Sequence, residues 1–388
     1  MPAPLGDGPQ AGPLEWPDDT VTHPLIPLRS IGWSQRDAAD PQWIAMLAEH
    51  PQARAARVVE QHRSGYIVAE GPGEGYATQS PPEWQRAPSY KKGALSTEQR
   101  AAVGDWVLVE GQGKQSQIVA MLPRHSAIKR AAAGEHYKQQ VIAANIDTVF
   151  VVCGLDGDFN PRRIERYLLV VQASGAAPVL VLTKADECDI VDDVLATLDE
   201  VRATGTPIHP VNAKDAESLK ILHPYLGPGR TVVLVGSSGA GKSTLTNSLL
   251  GIEKMKTKTV RENDQRGRHT TTHRALIPLP QGGCIIDTPG MRELKLSGEE
   301  TLADGAFEDI DALIGQCRYS DCGHSNEPGC AVLAALESGE LDEARYAHYV
   351  KLRDERDAAA LSLAVRRAEV KEAHKGFHKR LKDKYGRR

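Results

Sequence analysis

Nine consecutive residues carry the clearest chemistry in the sequence: Gly236, Ser237, Ser238, Gly239, Ala240, Gly241, Lys242, Ser243 and Thr244. Glycines at these spacings let successive backbone N–H groups curl round a phosphate. The Lys242 ammonium neutralises the β and γ oxygens, and the Ser243 hydroxyl is a ligand for Mg2+. The apolar run Thr231 to Val235 precedes the motif and helix-favouring Ser243 to Leu250 follows it, which is the strand, loop and helix setting a phosphate loop requires. Downstream, Cys284 to Gly290 reads as a strand ending in Asp287, placed to hold Mg2+ through water, and then in Gly290, whose N–H can reach the γ-phosphate. Between the two lies the polar stretch Gly267 to His273. Spacing does not choose among Thr270, Thr271 and Thr272 for the second Mg2+ ligand; Thr271 is taken as the expected one.

A phosphate loop does not select a base. Val179 to Leu182, a short apolar strand, runs into Thr183-Lys184-Ala185-Asp186, a version of the Asn-Lys-x-Asp element that reads guanine. The Asp186 carboxylate can accept from N1–H and the exocyclic amine together. Adenine offers no such donor pair, at a cost of roughly 1 to 3 kcal/mol per lost bond. Lys184 would lie along the base plane. Thr183 stands where many such proteins have Asn, so the usual amide tie to the phosphate loop is missing, and a hydroxyl is expected to replace it only in part. Val211, Asn212, Ala213 and Lys214, at the end of another short strand, form the second base-contacting loop. Both base-reading elements precede the phosphate elements, the reverse of the ordinary order, so the domain is expected to be a circularly permuted α/β P-loop GTPase. The chain then leaves it just after Asp287 to Gly290, where the γ-phosphate is sensed, and a domain hung there would respond to the nucleotide.

Met291 occupies the region where a water-orienting Gln is common. His269 is the nearest alternative, because a neutral imidazole accepts a proton near neutral pH. Together with Lys242 it forms the expected catalytic pair, with slow intrinsic turnover that a partner accelerates by ordering the loop. Farther on, Cys317, Cys322, His324 and Cys330 are separated by four, one and five residues. Three thiols and an imidazole suit one tetrahedral Zn2+, and with no position left for water the site is expected to be structural.

The elements that must position these groups follow from patterning. With 40% hydrophobic and 25% charged residues in 388, the chain can build two or three packed domains. No apolar run approaches the about 18 residues of a membrane span, and no secretory pattern opens the chain, so a cytoplasmic, membrane-free protein, acting as a monomer, is expected. Residues 1–52 read as a Pro-rich leader, partly disordered, with seven prolines by Pro27. Residues 53–130 hold short β-rich runs (Ala56 to Gln61, Gly65 to Ala69, Asp105 to Glu110, Ser116 to Leu122) broken by a long polar loop, which suits an OB-type barrel. Residues 131–304 alternate strand and helix, with Asn160-Pro161 opening one helix and Gly175 beyond its end. Residues 305–388 hold the cysteine cluster and then helix-favouring sequence. The net charge of −4 argues against general polyanion binding, yet Val365 to Arg388 carries ten Lys or Arg against three Asp or Glu. With Phe377 and Tyr385 among the cations, that tail fits an RNA backbone.

In combination, Gly104-Asp-Trp-Val107, Leu122-Pro-Arg124, Ala144-Asn-Ile-Asp147, Arg166-Tyr-Leu168, the permuted motifs, Gly267-x-His-Thr-Thr-Thr272, and Asp321-Cys-Gly-His324 leading to Glu327-Pro-Gly-Cys330 resemble the ribosome small subunit-dependent GTPase A family, from about Ala53 to the end. The resemblance implies an N-terminal OB barrel, a permuted GTPase domain and a zinc-binding helical domain that together bind the small ribosomal subunit and its rRNA late in maturation. It also implies GTP with Mg2+ as substrate, GDP as product and a role for His269 in hydrolysis. Two rivals stand beside it: a P-loop ATPase of another class, and an RNA-binding factor that senses GTP and GDP with little catalysis of its own.

Overall fold

Alternation of apolar and polar side chains sets the amino-terminal strands. The computed structural model describes residues 26–34, 39–62, 65–85, 97–132, 135–157, 159–251, 275–287 and 307–361. Helix α1 (Pro41–Glu49) starts at Asp40, whose carboxylate accepts from the N–H groups of Gln42 and Trp43 at 2.8 and 3.4 Å. Five strands follow: β1 (Arg54–His62), β2 (Gly65–Ala69), β3 (Tyr76–Thr78), β4 (Trp106–Glu110) and β5 (Gln117–Met121). β1 pairs antiparallel with β2 and β4, β2 with β3, and β4 with β5. A parallel bridge between Gln79 and Gln117 then joins the end of β3 to the start of β5. The ladder returns on itself in the order 1-2-3-5-4-1, around Ala56, Val58, Val68, Val107, Val109 and Ile118.

The opposite face of β4 presents Trp106 and Leu108, which pack on Leu28, Ile31, Trp33 and Trp43. Trp33 lies 4.6 Å from Trp43 and 4.7 Å from Trp106 between ring centroids. The segments 26–34 and 39–52, grouped by sequence with the Pro-rich leader, are thus folded onto this face. Each fully buried side chain of this size contributes about 1.5–3 kcal/mol, enough to hold a short segment with little other structure.

β6 (Ala127–Ala132) and β7 (Glu135–Ala144) form a separate antiparallel ladder that crosses the boundary expected between residues 130 and 131. Next come β8 (Thr148–Gly154), α2 (Pro161–Gln172), β9 (Ala177–Thr183), β10 (Ile208–Pro210), β11 (Thr231–Val235), α3 (Lys242–Leu250), β12 (Ala275–Pro278) and β13 (Cys284–Asp287). β10, β9, β8, β11 and β13 lie side by side and parallel. All residues of β8 and β11 are buried, as strands covered on both faces must be. β12 runs antiparallel on β13 and meets β1 at Ala275 and Glu60, so that one mixed sheet of eleven strands runs through both regions. Among the described residues no helix is long and apolar enough to cross a membrane.

Helices α4 (Glu308–Ile314), α5 (Ala331–Ser338) and α6 (343–361) end the described chain. Phe307, Ile310, Val332, Leu341 and Leu352 share one core with Ile164 and Leu168 of α2. Polar contacts frame this packing. Arg345 grips Asp309 through two 2.8 Å bonds and also pairs with Glu200. His348 Nδ1 lies 2.7 Å from Glu165, and Arg166 lies 2.6 Å from Glu355.

One buried cation joins the two strand regions. Arg57 on β1 is fully buried and projects away from the Ala56 and Val58 side. It donates to the carbonyls of Gly104 (3.1 Å), Asn145 (2.9 Å) and Ile31, and to the Thr231 hydroxyl (2.8 Å) at the start of β11. Beside it, buried Asp105 accepts from Arg124 at 2.7 and 2.5 Å. Gly104 has φ +94, and a Cβ there would lie 2.2 Å from the Ala144 carbonyl oxygen, so only glycine lets the two chains approach. Replacing Arg57 by Met leaves at least three buried acceptors without a donor. Arg57→Met is therefore expected to lower stability by about 3 kcal/mol or more, read from the urea midpoint; a loss below about 1 kcal/mol would show that the guanidinium is dispensable at this joint.

Candidate functional site

The carboxyl ends of five parallel strands gather the groups singled out in the sequence. β11 runs from Val235 into Gly236, which has φ +144; a Cβ there would sit 2.1 Å from the Val152 carbonyl oxygen, so the loop can leave the sheet only through glycine. Ser238 and Gly239 are exposed at the crest, and Ala240 is buried beneath it. Gly241 then caps α3, which begins at Lys242, Ser243 and Thr244. A helix amino end aims unpaired N–H groups at the space above the loop. The Lys242 ammonium donates back to the carbonyls of Gly236, at 2.7 Å, and Ser237.

The base-reading loops are bound to this loop by named contacts. Thr183, the last residue of β9, is fully buried, and its hydroxyl donates to the Ala240 carbonyl at 2.7 Å. The hydroxyl thereby makes the tie for which an amide is more common. Lys184 is left-handed at φ +61, and its ammonium pairs with Asp156, a residue the sequence reading did not single out, in the loop after β8. Ala185 and Asp186 follow in a 3-10 turn, with Asp186 exposed. The Ala185 N–H reaches the Val211 carbonyl at 3.3 Å, linking the loop after β9 to the loop after β10. Asn212 accepts from the Lys214 N–H at 2.9 Å, and the carbonyl of buried Ala213 accepts from Ser248 of α3 at 2.6 Å. On the other flank β13 lies in register with β11, Ile286 opposite Val233, and ends at half-buried Asp287 on the same sheet edge. His269, Thr270, Thr271, Thr272 and Gly290 lie outside the described residues.

Cys317, Cys322, His324 and Cys330 converge after α4 and at the start of α5, with all four ligand atoms within 4.8 Å of one another. Cys317 and Cys330 sulfurs are 3.9 Å apart, and the His324 Nδ1 is 3.6 and 3.5 Å from them. A tetrahedron with Zn–S bonds of about 2.3 Å has edges of about 3.8 Å, so the donor set fits zinc in chemistry and spacing. Glu327 holds the turn that carries His324: its carboxylate accepts from the N–H groups of Ser325 (2.8 Å), Asn326 (3.0 Å) and Gly323 (3.0 Å). The backbone N–H of Ser325 first, then those of Glu327 itself, Asn326 and Gly323, hold that carboxyl down to about 2. The clasp is thus charged wherever a thiolate could bind metal.

Asp156, Ser248 and the Arg57 joint escaped the sequence reading, and Glu327 stood in the cysteine motif without its role. Asp156, Ser248 and Arg57 each act on a residue distant in the chain, and a pairing of that kind has no local signature.

A phosphate loop with its helix, tied by a hydroxyl to base-reading loops that come earlier in the chain, on a mainly parallel sheet, defines the fold of a circularly permuted GTPase. Two solved structures share it: YjeQ from Thermotoga maritima, with a TM-score of 0.57 and 27% identity over 78% of this chain and 98% of that one, and YloQ, described as a circularly permuted GTPase, with a TM-score of 0.55 and 23% identity over 80% and 97%. The chain is 62% identical to the small ribosomal subunit biogenesis GTPase RsgA of Xanthomonas campestris pv. campestris, across 88% of this chain and 92% of that protein. It is 61% identical to the protein of the same name from Xanthomonas axonopodis pv. citri, across 90% and 94%. The RsgA GTPase family profile matches residues 121–297. The chain belongs to the RsgA GTPase family.

Removing the Thr183 hydroxyl deletes the bond that fastens the loop after β9 to Ala240. Thr183→Val is expected to weaken GDP binding roughly 5- to 30-fold, about 1–2 kcal/mol, by isothermal titration, whereas Thr183→Ser retains it. Equal affinities for all three proteins would mean that the tie between the loops is incidental.

Proposed function

We propose that the chain hydrolyses GTP in the biogenesis of the small ribosomal subunit, acting late in maturation, with turnover raised by the subunit itself. The observation that carries the reading is the Thr183 bond to Ala240: the loop suited to guanine is fastened to the loop suited to phosphates, so one nucleotide spans both. In this reading Asp186 accepts from the guanine edge and Lys184, Asn212 and Ala213 line the base. The N–H groups of Gly236 to Thr244 cradle the phosphates, Lys242 neutralises charge on the γ-phosphate, and Ser243, Asp287 and Thr271 serve Mg2+. His269 positions the attacking water and Gly290 senses the γ-phosphate. The identities to proteins named for small-subunit biogenesis support the partner.

The remaining regions take roles that suit that partner. The closed order 1-2-3-5-4-1, with its parallel bridge between β3 and β5, supports an OB-type barrel, a fold that binds oligonucleotides. One structural Zn2+ on Cys317, Cys322, His324 and Cys330 would brace the turn between α4 and α5, and the basic tail from Val365 would contact rRNA. The protein would act as a monomer in the cytoplasm.

Two measurements test this reading. GTP turnover by the purified protein, with and without small subunits and with ATP as control, is expected to be specific for GTP and to rise at least tenfold with subunits, the scale of one loop-ordering step. His269→Ala should remove most of the rise, about 100-fold in rate for a lost proton acceptor, while GTP affinity holds; an unchanged rate with subunits overturns the activation, and equal use of ATP overturns the base reading. For the metal, the purified protein is expected to hold one zinc per chain by atomic absorption. Glu327→Gln should lower zinc affinity about 10- to 100-fold, as loss of an outer partner does; unaltered retention against a chelator would show that Glu327 does not hold the ligand turn.

A further inference from the structure

A sizeable cavity lies at the other end of the parallel sheet, where β8 and β9 begin with Thr148 and Ala177. Seven-residue strands place it about 20 Å from the phosphate loop. It measures about 460 Å³, within the range of small-ligand sites. Pro178, Pro207 and the ring of Tyr225 offer flat apolar walls. Tyr225 is fixed in place by an edge contact to Phe150 at 5.8 Å and by a 3.0 Å hydrogen bond between its hydroxyl and His209.

The polar lining asks for donors. Gln172 Oε1, at the end of α2, is buried and has no hydrogen-bond partner. The Asp147 carboxylate accepts from the Thr231 N–H at 2.7 Å, and burial pushes its carboxyl up against the opposing pull of His125, Arg57 and Arg230. Arg230, on the rim, adds a cation. One acceptor without a donor, a carboxylate holding a single N–H, apolar walls and a guanidinium beside them match a planar heterocycle with N–H groups on one edge and an anion attached. A nucleotide has that form.

We propose that this cavity binds an unpaired nucleobase of single-stranded RNA: the base stacks on Tyr225, its N–H edge meets Gln172 and Asp147, and Arg230 takes the phosphate. The RNA source rests on the function proposed above; the base chemistry does not. Asp147 and Arg57 both bond Thr231, so the bound base sits against the joint between the strand regions.

The test uses the full chain saturated with GDP and Mg2+, which blocks the first nucleotide site. Binding of a fluorescent single-stranded RNA of about eight nucleotides is compared with that of free cytidine, adenosine and guanosine. Gln172→Leu and Tyr225→Ala are each expected to weaken RNA binding roughly five- to fifty-fold, with Tyr225→Phe close to the parent and GDP affinity unchanged in all. Free nucleosides that bind as tightly as the RNA, and lose affinity in the same variants, would keep the base pocket and overturn its RNA source. RNA affinity that is the same in Gln172→Leu as in the parent, with GDP affinity intact, overturns the proposal. Loss of GDP specificity in the parent would instead sink the GTPase reading, so the two failures are distinct.

Discussion

A buried guanidinium has five N–H donors and must find acceptors for them, and in this chain the requirement of Arg57 organises the meeting of two strand regions. Its acceptors come from four separate stretches of sequence: Ile31, Gly104, Asn145 and Thr231. Each is held by something else. Gly104 is pressed on Ala144, Asn145 is left-handed at φ +52, and Thr231 is fastened to Asp147 at 2.7 Å. An uncompensated charge at such depth is costly, so the acceptors and the cation enforce one another. The result is that β11, which ends in the phosphate loop, is rooted in the same contacts that hold the amino-terminal strands.

Circular permutation alters what is attached to the nucleotide site, not the site itself. Parallel order β10-β9-β8-β11-β13 brings the ends of strands far apart in the chain to one edge, and hydrogen bonds between loops, Thr183 to Ala240 and Ser248 to Ala213, join the pieces. What changes is the exit. β13 ends at Asp287, and the chain resumes among the described residues at Phe307, fully buried against His348 and Tyr349. The strand that ends at Asp287 is therefore the last described strand of the sheet before the helical region in chain order.

How much of this was legible depended on whether the signal was local. The phosphate loop, Asp287, both base-reading loops and the cysteine cluster stood out because each is a short run whose residue types have one shared use. Strands β2 and β11 were read with their observed ends, since glycine or charge bounds an apolar run. β3 and β12, three and four residues long, were not read, for they form only as partners of longer strands, and β10 was read only as a short strand before Val211. The hairpin β6–β7 escaped because its polar, alanine-rich sequence has little β preference of its own. Segment 26–52 misled for a different reason: it follows the proline-rich residues 1–27 and was grouped with them, yet Leu28, Ile31, Trp33 and Trp43 supply the outer cover of β4. Motifs such as Gly104-Asp-Trp-Val107 and Ala144-Asn-Ile-Asp147 were visible as patterns without a purpose, because the purpose, the Arg57 joint, involves residues 174 positions apart.

Helix α2 connects the base-reading loops to the helical region by its two ends and its outer face. The loop before it carries Asp156, paired with Lys184 of the base-reading loop. Along its length Glu165 meets His348 and Arg166 meets Glu355, both partners on α6, and its apolar side, with Ile164 and Leu168, shares a core with Val332 and Leu352. A rigid helix of twelve residues held at both places cannot move at one without moving at the other. A displacement of Lys184 would therefore be carried to α6 through Asp156 and α2. The helical region is thus tied to the loop after β9 through one helix, by an ion pair before its start and by ion pairs and apolar packing along its face.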